Sequence, residues 1–231
     1  MKKVFLDCGG NDGCSVRKFR DLHDKNNDYI IHSFEPNPIF KKCYSNFFNH
    51  TFHEVATWIY DGNIKLYLDY IDGDGSSLIK EKKILFDSPS QIQEKKSTIV
   101  KCIDLSKWIL DNLVSTDRII LKLDIEGAEY DVLKKMILDG SINYIDELFI
   151  DWHWDKIGKS KKEHDLFISS LNDVIVDSSW DAGDFKYRSR LVWKLYLKKE
   201  LFFSKKYLKT LKNYLIYNIK NFSLVLFLTN Y

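Results

Sequence analysis

The sequence predicts a doubly wound α/β sheet, mostly parallel, with helices on both faces. Short apolar runs alternate with segments of helical periodicity, and several of the runs end on an acid or a glycine turn. The first unit reads strand, glycine turn, helix, strand in about thirty residues, the length of a βαβ crossover that makes its two strands parallel. With 231 residues, 45% of them apolar, the chain has enough material for one generous domain.

Each element follows from its own pattern. Residues 4–6 are apolar and stop at Asp7; Gly9, Gly10 and Gly13 make the turn, and Val16, Phe19 and Leu22 recur at helical spacing. Residues 29–34 form a second apolar run, closed by Glu35 and broken by Pro36 and Pro38, and a helix is expected over 39–47. Residues 52–60 and 64–70, joined through Asp61, Gly62 and Asn63, read as a hairpin. The polar, lysine-rich stretch 72–97 is too long for an ordinary connection and reads as either a functional loop or a disordered one.

Residues 98–103 read as a strand, after which Asp104 caps a helix with Leu105, Trp108, Ile109 and Leu113 on its apolar face. Run 118–123 is the most strand-like and ends at Asp124. The helix that follows starts near Gly127, carries Glu129 and Asp131 where acids suit the helix dipole, buries Ala128, Val132, Leu133, Met136 and Ile137, and stops near Gly140. Residues 148–152 are another central strand. Ser160 and Glu163 form a capping box for a helix buried through Leu166, Phe167 and Leu171, and strands are expected at 174–176 and 191–197.

Charge and cysteine usage exclude several classes. Lys plus Arg number 35 against 33 Asp plus Glu, a net +2, which argues against a whole-protein grip on nucleic acid. The balance is uneven: residues 198–231 hold seven lysines and one glutamate, so residues 1–197 are mildly acidic. We therefore divide the chain into a domain over 1–197 and a basic, aromatic, helical tail over 198–231. The tail would pack on its own sheet or a sister subunit in a homodimer, or lie peripherally on an anionic membrane. Cys8, Cys14, Cys43 and Cys102 show neither metal-ligand spacing nor a disulfide framework, and no signal peptide or spanning segment is evident, so a cytoplasmic protein is expected.

Ligands of doubly wound sheets bind beyond the strand C-terminal ends. There, Asp7, Gly9, Gly10, Asn11 and Gly13 let the backbone approach a ligand closely, but the acids at 7 and 12 would repel a pyrophosphate. S-adenosylmethionine, with an ammonium and a sulfonium, suits them. Glu35 stands 22 residues after Gly13 at the next strand end, the position from which a carboxylate takes ribose hydroxyls.

The segments Asp7-Cys-Gly-Gly-Asn-Asp-Gly13, Phe34-Glu-Pro-Asn-Pro38, Gly75-Ser-Ser-Leu78 and Leu123-Asp-Ile-Glu-Gly-Ala-Glu129 resemble, in order, the signature segments of the FkbM family of S-adenosylmethionine-dependent methyltransferases. The resemblance implies a class I methyltransferase (Rossmann-like) fold and O-methylation of a sugar, glycan or related small molecule. It implies that Asp7, Gly9, Gly10, Asn11 and Gly13 hold the methionine part, Glu35 the ribose, and Pro36 and Asn37 the adenine edge. Asp104 is a candidate for the adenine amine or only a helix cap, and Asp124 lies at the cofactor's methyl end.

For the chemistry, two arrangements stay open. His153 takes the acceptor proton while Asp124 or Glu126 orients it, or Asp124 and Asp151 share Mg²⁺ or another divalent cation. In a third, plainer reading Glu126 and Glu129 only complement the helix dipole, and His153 is a satisfied wall residue. Strand alternation would put Asp151 and His153 on one face, Trp152 and Trp154 on the other. Ser76, Ser77, Asp151, Trp154 and Arg188 are candidate acceptor contacts, the last suited to an anionic acceptor such as a nucleotide-linked sugar. Other readings are a non-catalytic Rossmann-type binding module and methylation of a lipid or phenol. A nucleic-acid acceptor is disfavoured because Asp-Ile-Glu-Gly stands at 124–127, where an amino-methylating enzyme needs a diproline motif.

Overall fold

The computed structural model describes residues 1–68, 75–82, 97–171, 174–180 and 185–189. Within them, strands run over β1 (Lys3–Cys8), β2 (Ile30–Phe34), β3 (His50–His53), β4 (Ala56–Trp58), β5 (Gly62–Tyr67), β6 (Ser97–Asp104), β7 (Arg118–Leu123), β8 (Glu147–Ile150) and β9 (Ile175–Asp177). The helices are α1 (Cys14–Leu22), α2 (Leu105–Asn112), α3 (Glu129–Asp139) and α4 (Lys161–Ser169). The main sheet is six-stranded and parallel throughout, in the order β3-β2-β1-β7-β8-β9. Its order reverses between β1 and β7, and a crevice opens at such a switch point.

Alternation along the central strands builds two cores. Val4, Leu6 and Cys8 of β1 and Ile119, Leu121 and Leu123 of β7 point to the face covered by α2 and α3, where Leu105, Ile109, Val132, Leu133 and Met136 complete a buried cluster. On the other face Phe5 stacks on Phe19 of α1 with centroids 3.9 Å apart, and Phe149 stacks on Trp180 at 4.5 Å. Each such side chain contributes about 1.5–3 kcal/mol by leaving water. Helices therefore do cover both faces, as the alternating pattern predicts. The caps do too: Asp104 accepts from the Lys107 amide, and Ser160 and Glu163 close a capping box.

Four local expectations fail. The hairpin of 52–60 with 64–70 does not form, because β3 joins the main sheet, and β4 and β5 both pair with β6, parallel and antiparallel respectively, in a separate three-stranded sheet. Asp61, taken as a hairpin turn residue, instead accepts from the Asp104 amide and the Lys107 ammonium. Pro38–Tyr44 is a 3₁₀ turn rather than a helix over 39–47, opened by Asn37, whose side chain accepts from the Ile39 amide. Leu166 of α4 and Ile137 of α3 are exposed, since only the flanking Phe167 and Met136 reach the core. β8 ends at Ile150, so Asp151 to Trp154 do not alternate as strand residues.

The expected strand 191–197, the tail 198–231 and most of the stretch 72–97 lie outside the described residues. No helix among the described residues is long and apolar enough to cross a membrane. All four cysteines are free thiols.

The turn after β1 meets the end of β7 closely at Gly9. Its φ is +76°, and a Cβ there would sit 1.8 Å from the Asp124 carbonyl oxygen. Both the left-handed backbone and the contact exclude a side chain. Gly9→Ala should therefore lower unfolding free energy by about 2 kcal/mol or more in urea titration, whereas Gly158→Ala, also at positive φ but with open space around it, should cost less.

Candidate functional site

The site begins with one buried ion cluster. In register, Asp7 of β1 neighbours Lys122 of β7 on one side and Ser33 of β2 on the other. All three are fully buried. Lys122 Nζ lies 3.4 Å from Asp7 and 3.7 Å from Asp124, and donates to the carbonyls of Cys8 (3.1 Å) and Gly9 (2.7 Å). Ser33 donates to Asp7 at 2.9 Å. Burial is the largest influence on Asp7 and raises its pKa despite the lysine. At Asp124 burial acts the same way but is outweighed by Lys122, His153, Arg188 and Lys156, so its pKa is lowered and it stays ionised.

Above this cluster the loops after β1, β2 and β7 enclose a cleft with about 1050 Å³ of unfilled space, counting the part open to solvent. Gly9, Gly10, Asn11, Cys14 and Ser15 form one wall; Glu35, Pro36, Ala56 and Thr57 another; Asp124, Ile125, Glu126, Asp151, His153, Lys156 and Arg188 the rest, with Leu66, Ser76 and Leu78 at the side. Glu35 accepts the amides of Asn11 (2.9 Å) and Asn37 (2.7 Å). Burial nevertheless raises its pKa to about 7, outweighing those amides and Lys122.

Glu126 is held in the left-handed region at φ +57°, rare for a residue other than glycine or asparagine and a mark of functional sites. Its carbonyl accepts from Ser77 (2.6 Å), its carboxylate bonds Lys82, and Lys156 Nζ is 4.0 Å away. Burial raises its pKa more than the lysines and His153 lower it. Beneath the loop, fully buried Glu129 accepts the amides of Ile125 and Gly127. The same carboxylate meets His153 Nδ1 at 3.0 Å, which turns Nε2 toward Glu126 (3.2 Å), Asp124 (3.9 Å) and Asp151 (3.9 Å). Burial alone would lower the pKa of His153; the bond to Glu129 and the charges of Glu126, Glu129 and Asp124 raise it to about 9.

Of the residues singled out from sequence, Gly9, Gly10, Asn11, Glu35, Pro36, Asp124, Glu126, His153, Ser76, Asp151 and Arg188 line this cleft. Others are placed behind it. Asp7 lies under Gly10, Gly13 caps α1, Asn37 opens the 3₁₀ turn, and Asp104 caps α2 and pairs with Lys135 at 3.4 Å. Ser77 braces Glu126, and Trp154 stacks on His164. His164 also meets the Tyr130 hydroxyl at 2.6 Å, and His32 meets His53 at 3.1 Å.

The metal pair expected at Asp124 and Asp151 is not the tightest donor group. Asp124, Glu126 and His153 bring one donor atom each within 4.8 Å. That set does not fit a divalent ion as arranged, because the Lys82 ammonium bonds the Glu126 carboxylate and Lys156 stands beside it. Lys122, Glu129, Thr57 and Lys156 were missed. Lys122 interrupts an apolar strand two residues before Asp124, which was the available signal.

A doubly wound Rossmann-like sheet with a charged cleft at its switch point places the chain among the α/β proteins whose ligands bind beyond the strand C-terminal ends. Comparison then narrows this: the family model described as the methyltransferase FkbM domain matches residues 7–175, and the chain belongs to that family of methyltransferases. A solved structure of the methyltransferase FkbM from Methylobacillus flagellatus KT is similar at 17% identity with a TM-score of 0.44, covering 75% of this chain and 38% of that one. This chain thus spans well under half the length of that relative. No curated protein matches it.

Lys122→Met would leave Asp7 and Asp124 facing each other without their cation. It should cost about 3–5 kcal/mol in chemical denaturation. Adding Asp7→Asn should recover part of that loss, so that the double variant falls short of the sum of the singles.

Proposed function

We propose that the chain transfers a methyl group from S-adenosylmethionine to a hydroxyl of a sugar or glycan, with His153 as general base. The observation that carries this is the buried Glu129–His153 pair, which aims one imidazole nitrogen into the cleft. The order of elements supports the cofactor assignment, and so does its chemistry. Gly9 and Gly10 leave a cradle that a Cβ would fill, and Glu35 accepts two amides at the wall, leaving carboxylate lone pairs for two ribose hydroxyls. Thr57 presents a buried hydroxyl beside them.

The cofactor supplies a carbon already activated for displacement; the chain's own task is alignment, exclusion of water and removal of the acceptor proton. Gly9, Gly10 and Asn11 would hold the amino-acid part and Glu35 the ribose. Asp151, Ser76 and Lys156 offer hydrogen bonds to an acceptor's other hydroxyls. Glu129 accepts from His153 Nδ1, fixing the tautomer that leaves Nε2 able to take a proton. No step needs a metal.

The pKa values set the pH dependence. A base must be neutral to act, and His153 is protonated below about 9. Turnover at limiting acceptor should climb roughly tenfold per pH unit between pH 7 and 8 and level off near 9. His153→Gln should lower kcat about 10²–10⁴-fold and remove the slope, while EDTA should leave turnover intact. A flat profile with EDTA-sensitive turnover would sink the base assignment.

Glu35 gives a separate test. Its carboxyl, pushed up to about 7 by burial, must be ionised to accept from two hydroxyls. Calorimetric affinity for S-adenosylhomocysteine should strengthen from pH 6 through 7 and level off near pH 8. Glu35→Ala should weaken binding roughly 10- to 100-fold at pH 8 and abolish that trend.

A further inference from the structure

We propose that Arg188 receives the carboxylate of the cofactor's amino-acid end. This deepens the adenosyl-cofactor reading and rests on it. The family match stops at residue 175, so no signature segment assigns this arginine, and from sequence it reads as an acceptor contact or a solvated basic turn. It is not a solvated turn. The side chain is only 8% exposed and lines the cleft beside Asn11, Cys14 and Ser15.

The backbone around Arg188 is fastened to α1 at several points. Fully buried Asp12 accepts the Ser189 amide and the Cys14 amide (3.1 Å), and its Oδ1 stands 3.8 Å from Arg188 Nη1. Arg17 donates to the carbonyls of Asp12 (2.8 Å) and Tyr187. The Tyr187 hydroxyl and the Lys186 ammonium both bond Asp21, at 2.5 and 2.8 Å. Asp12 stands at ion-pair distance from the guanidinium, whose rigid fork of donors matches a carboxylate. Arg188 is therefore preorganised, and its entropy of ordering is met before any ligand arrives.

Position selects the ligand. The charge of Arg188 acts both on the Cys14 thiol, at the start of α1, and on Asp124, at the end of β7. The guanidinium thus stands between the glycine turn and an ionised carboxylate. An α-amino acid head carries an ammonium and a carboxylate on one carbon, and Asp124 with Arg188 offers the matching pair of opposite charges. The groups suited to the acceptor, Asp151 and His153, come instead from the far side, after β8.

Two nucleosides separate the sources of binding energy. S-adenosylhomocysteine carries the amino-acid head; 5′-methylthioadenosine shares the thioether nucleoside and lacks the head. Calorimetry with Arg188→Ala should show about 10- to 100-fold weaker binding of the first and no more than about twofold change for the second. Arg188→Lys, which keeps the charge without the fork, should fall between. Unchanged methylthioadenosine binding also shows that the variant is folded.

If Arg188→Ala binds S-adenosylhomocysteine like the wild type and only the acceptor KM rises, the arginine serves an anionic acceptor and the proposal is overturned. Equal losses for both nucleosides overturn it as well, as a collapse of the wall. If the wild type binds neither, the cofactor reading itself falls.

Discussion

One buried ammonium organises the site. Lys122 sits inside the register that pairs the two central strands, and it ties together atoms from both: the carboxylates of Asp7 and Asp124 and the carbonyls of Cys8 and Gly9. It also offsets the desolvation of the acids beneath the cleft floor, which no weakly polar residue would do. Without it the close approach of Gly9 to Asp124 would have no charge to hold it.

The cleft above is a balance of opposite charges rather than an acidic patch. Asp124 is kept ionised by the cations around it, Glu126 is pulled toward neutrality by burial, and Glu129 is committed to two amides and an imidazole. These three acids lie within six residues of one another on one loop and helix start, yet their surroundings give them three different roles. Glu126 carries backbone strain that its neighbours hold in place through Ser77 and Lys82. Such divergence among near neighbours is what proton chemistry at neutral pH requires.

Much of this was legible before the structure. The glycine turn after residues 4–6, the strand over 118–123 and the helix from Glu129 were evident because local propensity, period and punctuation agree there. So were Glu35, Asp124 and His153, because acids and a histidine at strand ends have few structural reasons to be there. The hairpin was misread because β6, the true partner of both β4 and β5, arrives from residue 97 onward, and a local pattern cannot show a strand inserted from so far along the chain. Lys122 and Glu129 were passed over for a related reason: each looks like an ordinary charge in its own segment, and its meaning comes from carboxylates or amides supplied by others. His153 was reached through an alternation that ends three residues too early, so its place was right and the reason was not.

The fastening of Ser189 to Asp12 spans 177 residues of chain. Contacts of such separation form late, because a long loop must close before they return any energy. The sheet and its glycine turn can be complete while the wall that carries Arg188 is still unplaced. Closing the cleft on that side is then a step distinct from building the scaffold, set by where a short stretch of chain is held.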